Sequence, residues 1–170
     1  RLINAVPSLI PPAPRDLSAD KVTVSVTGLE KTFVTSGGFF TPKREVRAID
    51  KVSFDLKRGE TLGIVGESGS GKSTTGRCIA RLMEPNAGEI RLGDLNWGAL
   101  ASRELRAQRN RVQMVFQDPY ASLNPRSKIA TILTEGAVAQ GQDKQEALAY
   151  ARELLETVGL DASSLDRYPH

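Results

Sequence analysis

The run Gly66-Glu67-Ser68-Gly69-Ser70-Gly71-Lys72-Ser73 constrains this chain more than any other feature, because it fits G-x-x-x-x-G-K-[ST] at every fixed position. An apolar run at 61–65 (TLGIV) leads into it. A stretch at 73–83 follows, in which Cys78, Ile79, Leu82 and Met83 share a helical face. The backbone must therefore end a strand, turn sharply and enter a helix with its N–H groups aimed at one anion. Gly66, Gly69 and Gly71 permit backbone angles and close approaches that a Cβ forbids. Ser68 and Ser70 complete the loop, and the helix start adds unpaired donors and a positive dipole end. In such a cradle Lys72 brings an ammonium to the β- and γ-phosphates of a nucleotide. Ser73 offers its hydroxyl to Mg²⁺, and Thr74 is placed for the α-phosphate. A chance match in a chain of 170 residues is on the order of one in a hundred.

Around the loop the pattern is mixed. Residues 1–20 hold Pro7, Pro11, Pro12 and Pro14 and read as a linker. Val22, Val24 and Val26 alternate with Thr23, Ser25 and Thr27, a strand signature. A loop is expected at 35–45, a strand at 46–56, and a tight turn at Arg58-Gly59. Strands are expected again at 61–65, 89–92 and 112–116, the first and last being of the buried, parallel type. A helix at 102–108 has Ser102 as its candidate cap. Helices near 129–138 and 144–158 follow, the second with Ala147, Leu148, Ala151, Leu154, Leu155 and Val158 at helical spacing and Gly159 as its stop. This order gives an α/β plan with a helical insertion.

Composition excludes more than it assigns. The net charge of +3 is too balanced to argue for nucleic acid. The basic stretches Lys43-Arg44 and 103–111 read as solvated faces. The single cysteine, Cys78, allows neither an internal disulfide nor a thiolate zinc cluster, and reads as a small packed hydrophobe. No apolar run approaches the roughly 20 residues that span a bilayer. Asn4 and Pro7 interrupt the stretch at 1–10, so no secretion signal is read there. Trp97, in a turn-like region, is expected to be a surface anchor.

Beyond the phosphate loop, the segment at 112–119 (VQMVFQDP) closely resembles the Q-loop of ATP-binding-cassette proteins. GETLGIVGESGSGKST and QDPYASLNPR are similar to the ATPase subunits of oligopeptide and dipeptide importers. TSGGFFTPKREVRAIDKVSFDL resembles the insertion those subunits carry between their first strands. The resemblance covers residues from about 22 to 170. It implies a P-loop NTPase core with an antiparallel β subdomain and the start of a helical subdomain, truncated. The expected division is 1–20 linker or tail of a preceding cassette, 21–116 ATP-binding core, and 117–170 Q-loop and helical subdomain. The resemblance places Phe33 where an aromatic ring stacks on adenine. It gives Gln117 the role of positioning water and ligating Mg²⁺ through its amide oxygen. Tyr120 falls where the helical subdomain receives a coupling helix.

The implied activity is ATP binding and hydrolysis, with Lys72 and Gln117 carrying this chain's catalytic share. The implied partners are a second ATPase domain, transmembrane permease subunits and, indirectly, a periplasmic or extracellular solute-binding protein. The implied location is the cytoplasmic face of a bacterial plasma membrane. No LSGGQ-like signature, Asp-Glu strand end or switch histidine occurs in these residues, and His170 in RYPH is not that histidine. The residues are therefore expected to be part of a larger molecule and inactive alone. RLINAVPSLIPP resembles the segment after the ATPase core in the same subunits, which points to a tandem parent; an unrelated proline-rich extension is the other reading. A soluble cassette ATPase acting on nucleic acid or ribosomes is the alternative function.

Overall fold

A computed structural model describes residues 21–35, 44–118 and 122–169. The expected linker at 1–20, Lys43, Tyr120 and His170 lie outside them. The chain forms two compact units, Arg1–Leu105 and Arg106–His170.

In the first unit, β1 (Val22–Thr35) lies between β2 (Arg44–Lys57) and β3 (Ala87–Leu92), and both pairings are antiparallel. The alternation of Val22, Val24 and Val26 survives, with Val26 fully buried and Thr23 and Thr27 exposed. Strict alternation would then send Leu29 to the opposite face. Instead β1 spends an extra residue between the pairs Val26–Phe54 and Leu29–Val52, and Gly28 takes φ 58°. That bulge returns Leu29 to the core, where it is fully buried. β3 crosses close to it: a Cβ on Gly88 would lie 2.6 Å from the Gly28 carbonyl oxygen. β2 answers with bulges of its own, inserting Lys51 at φ 50° and then Ala48, which falls between the pairs Lys31–Ile49 and Thr32–Arg47.

The helix after the phosphate loop, α1 (Lys72–Ile79), is shorter than its apolar face suggests. Arg81 ends it by adopting a left-handed φ of 51°. Its N–H donates to the Cys78 carbonyl at 3.0 Å, and Leu82 N–H donates to the Arg77 carbonyl at 2.9 Å. A glycine usually makes this closure. Here the arginine is held by its own side chain, which is buried. The guanidinium donates to the carbonyls of Trp97 (2.8 Å), Gly98 and Leu100 (3.4 Å) and pairs with Glu84 at 3.0 Å. Trp97 is not a surface anchor. Its ring is fully buried, and the indole N–H donates to the Ile79 carbonyl at 2.8 Å, satisfying an acceptor at the end of α1.

α2 (Ser102–Ala107) begins on Ser102 rather than being capped by it. Ala101 N–H is taken by the Glu104 carboxylate at 3.1 Å, half of a capping box. The expected strands at 61–65 and 112–116 do not form. Among the described residues neither has a ladder partner, and Val65 and Val115 are about nine-tenths exposed. The period-two pattern persists at 112–115, where Val112 and Met114 are half-buried while Gln113 and Val115 are exposed.

The second unit is a helical hairpin, α3 (Ile129–Ala139) and α4 (Lys144–Thr157), closed by a 3-10 turn at Ala162–Asp166. Asp143 starts α4 by accepting from the N–H groups of Gln145 (2.8 Å) and Glu146 (3.1 Å). Gly159 ends it at φ 77°, as expected. Ala151, Leu155 and Leu165 form the core, packed by Ile129, Ala130 and Leu148. Leu154 and Val158, expected on the same apolar face, are exposed. No helix among the described residues is long and apolar enough to cross a membrane.

Candidate nucleotide-phosphate site

The loop at 66–73 is built against β2. Gly71 adopts φ 91° and ψ 0° as the residue before α1, and a Cβ there would lie 2.1 Å from the Ala48 carbonyl oxygen. Ala48 is the residue that β2 inserts outside its ladder with β1, so its carbonyl turns toward the loop instead of toward the neighbouring strand. The contact needs both a bulge and a residue without a side chain. Thr75 holds the same glycine from the helix side. Its N–H (2.8 Å) and its hydroxyl (3.0 Å) both donate to the Gly71 carbonyl. The sequence pattern could not identify Ala48, because nothing in its local residue types marks a bulge.

The first α1 N–H to find a backbone carbonyl is that of Thr75. The N–H groups of Lys72, Ser73 and Thr74 therefore have no carbonyl one turn behind them. No side chain caps them, and no acidic residue stands in the first turn. They converge with the positive end of the helix dipole, an arrangement suited to an anion. Within the loop, Ser70 N–H donates to the Glu67 carbonyl at 3.2 Å. Lys72 folds back over it: its ammonium donates to the carbonyls of Gly66 (2.8 Å) and Glu67 (2.6 Å) and to Ser70 Oγ (3.4 Å). All three donor positions of the ammonium are thereby aimed at the loop. Ser68 and Gly69 are exposed on the same turn, and the Ser73 side chain is exposed beside Lys72. A cavity of about 490 Å³ reaches Gly66, Ser70 and Lys72 and is walled by Val52, Phe54 and Ile64.

Phe33 belongs to the same unit. It pairs with Val46, two residues along β2 from Ala48, a separation of about 7 Å at the usual strand rise. Phe33 is 38% exposed, and the Lys31 ammonium lies 5.6 Å from its ring centroid. Gln117 belongs to the other unit, exposed at a bend that follows the extended Val112. Phe33 and residues 66–74 thus share one unit, and Gln117 is separate from them in the chain's organisation. Among the described residues no cluster of three His, Cys, Asp or Glu side chains could hold a metal. Ser73, within the first unit, carries a hydroxyl, a hard oxygen donor of the class that suits Mg²⁺ bound chiefly through phosphate and water oxygens.

Comparison with known proteins follows the same line. The chain is 50% identical over 135 residues to the oligopeptide transport ATP-binding protein of Bacillus subtilis, covering 78% of this chain and 44% of that protein. It is 42% identical over 148 residues to the dipeptide transport ATP-binding protein of Haemophilus influenzae, covering 86% of this chain and 45% of that protein. The chain therefore spans less than half the length of these relatives. Among solved structures, the post-hydrolysis dimer of an ATP-binding cassette bound to ADP and Pi superposes with a TM-score of 0.68 at 25% identity, covering 86% of this chain and 61% of that one. A family model described as ABC transporter matches residues 49–169, a span that holds the phosphate loop, α1 and the helical hairpin, and on that match the chain belongs to the ABC transporter family.

Proposed function

We propose that this chain is the nucleotide-binding part of an importer ATPase, gripping MgATP through residues 66–74 and coupling its hydrolysis to uptake of peptides or similar small solutes. One observation carries the reading. Three unpaired N–H groups at the start of α1 and a lysine ammonium meet at a single loop whose glycine is fitted to the β2 backbone.

In this reading Gly66, Ser68, Gly69, Ser70 and Gly71 supply the turn and its amides. Lys72 exchanges its carbonyl acceptors for β- and γ-phosphate oxygens, and Thr74 serves the α-phosphate. Phe33 is the stacking platform for the base. Mg²⁺, when bound, neutralises charge on the phosphates; Ser73 Oγ and the Gln117 amide oxygen are the residues that would hold it. Gln117 also orients the attacking water, so that catalysis rests on positioning and charge rather than on a covalent step. The relatives' names support a peptide-like solute. Permease subunits as partners and a peripheral location on the cytoplasmic face of the membrane are what the importer reading itself requires. A second cassette completes the site, a reading supported by the dimeric neighbour.

Calorimetry of the full-length protein with MgATP tests the first step. Wild type should bind, and Lys72→Ala should lose affinity by tenfold or more. An unchanged isotherm for Lys72→Ala would remove the reading. Copurification of integral membrane subunits tests the importer assignment.

A further inference from the structure

The turn after α1 is joined to the strand that carries Phe33 by three hydrogen bonds. Asn86 N–H donates to the Glu30 carbonyl at 2.8 Å, Thr32 N–H donates to Asn86 Oδ1 at 2.8 Å, and the Lys31 ammonium donates to the Glu84 carbonyl at 2.6 Å. Glu84 is in turn gripped by Arg81, the residue that closes α1. A continuous polar path therefore runs from the end of the phosphate-loop helix through Arg81 and Glu84 to Lys31, the residue two places before Phe33.

Lys31 does more than brace the strand. Residues two apart on a strand share a face, and the Lys31 ammonium lies 5.6 Å from the Phe33 ring centroid, within cation–π range. Its bond to Glu84 keeps the charge at that place while Phe33 remains more than a third exposed. A cation fixed over one face draws electron density toward itself. The ring becomes a better acceptor for an electron-rich purine on its free surface, and its plane is held in register with α1.

We propose that Lys31 is a positioning residue for base recognition, setting the orientation and polarisation of the Phe33 platform relative to the phosphate loop. The inference rests on the reading of Phe33 as that platform, and it extends that reading to base selection by a residue that need not touch the nucleotide. Losing a contact that acts only through the base should weaken binding of a nucleotide but not of its bare phosphate chain.

The experiment measures dissociation constants of the full-length protein for MgATP and for magnesium tripolyphosphate, in wild type, Lys31→Met, Lys31→Arg, Phe33→Ala and the Lys31→Met/Phe33→Ala double variant. Lys31→Met should weaken MgATP about two- to fivefold, the range of an exposed to partly covered cation–π contact, and leave tripolyphosphate unchanged. Lys31→Arg should restore most of the loss. In the Phe33→Ala background Lys31→Met should have no further effect, because its route to the base is gone. Equal loss for both ligands would mean that Lys31 only supports the fold, and would overturn the proposal, as would an unaltered MgATP constant. If Phe33→Ala itself left the ratio of the two constants unchanged, the platform reading would fail, and the proposal with it. If only Lys31→Met left the ratio unchanged, the platform would stand and the role of Lys31 would fall.

Discussion

Gly71→Ala is the sharpest perturbation that the structure offers, because its damage can be worked out atom by atom. The added Cβ would sit 2.1 Å from the Ala48 carbonyl oxygen, with the next neighbour, the Ala48 carbonyl carbon, at 3.2 Å. Backbone rather than a flexible side chain meets it, so relief requires the loop to move off β2 by about 1 Å. The residue also keeps φ 91°, a left-handed conformation that costs an L-residue about 1–2 kcal/mol. Overpacking adds about 1–3 kcal/mol. The sum is of the same order as the stability of a small domain, so the loop will shift rather than hold its place. A displacement of about 1 Å is enough to cost on the order of a hundredfold where groups must converge. Gly69→Ala is the control. Gly69 has φ 83°, but nothing lies within 4 Å of its would-be Cβ, so it meets the strain without the clash. Calorimetry with MgATP, beside thermal melts of each variant, should show near-complete loss for Gly71→Ala and a much smaller loss for Gly69→Ala. Equal affinities for the two variants would refute the claim that contact with Ala48 sets the loop.

Other consequences are simpler to state. Asp143→Ala removes the acceptor for two N–H groups at the start of α4 and should cost about 1 kcal/mol, read as a melting shift of about 4–8 °C in a unit of this size. Trp97→Phe strips the Ile79 carbonyl of its indole donor and should destabilise the first unit by about 1–3 kcal/mol in denaturant titration. Burial pushes the Cys78 thiol above its ordinary value of 9.0, with nearby Lys31 opposing the rise and Glu84 adding to it. A raised thiol stabilises the fold fully below that ordinary value, and the contribution is lost as pH climbs toward the folded value. Iodoacetamide at pH 8 should therefore leave native Cys78 unmodified and label it rapidly in denaturant, with the contribution of this thiol to stability falling only above about pH 9.

Eight letters drew most of the candidate site, and the structure supplied the contacts that shape its loop. The glycine pattern predicted a loop opening a helix, and α1 begins at Lys72 with its first donors free. The sequence did not reveal that Ala48 would bulge out of β2 to receive Gly71, because the bulge follows from the register between β1 and β2 and not from local residue types. Arg81 escaped for a related reason. Its position two residues past Ile79 reads as more helix, and only the ring of carbonyls from Trp97 to Leu100 makes a left-handed arginine tolerable there. The same long-range closure buried Trp97 where turn-like neighbours suggested a surface. Gly159, whose role is local, is legible in the sequence as a helix stop, whereas the equally local cap at Asp143 emerged only with the structure.

The apolar runs at 61–65 and 112–116 show where such reading reaches its physical limit. A continuous apolar run describes an environment, burial on both faces of a strand, rather than a backbone conformation. The described residues do not provide that environment: Val65 is 92% exposed, Val115 is 89% exposed, and Leu62, Ile64 and Phe116 are each more than two-fifths exposed. Burying one such side chain is worth about 1.5–3 kcal/mol, so these five hold several kcal/mol in reserve, comparable with the net stability of a domain. The loop between them draws on none of it. Gly71 is fixed by Ala48 and Thr75, and Lys72 by the carbonyls of Gly66 and Glu67, all contacts within the first unit. The candidate phosphate loop can therefore be set while the apolar segment that leads into it stays exposed among the described residues, which is why the loop is readable from a short segment and the strands expected beside it are not.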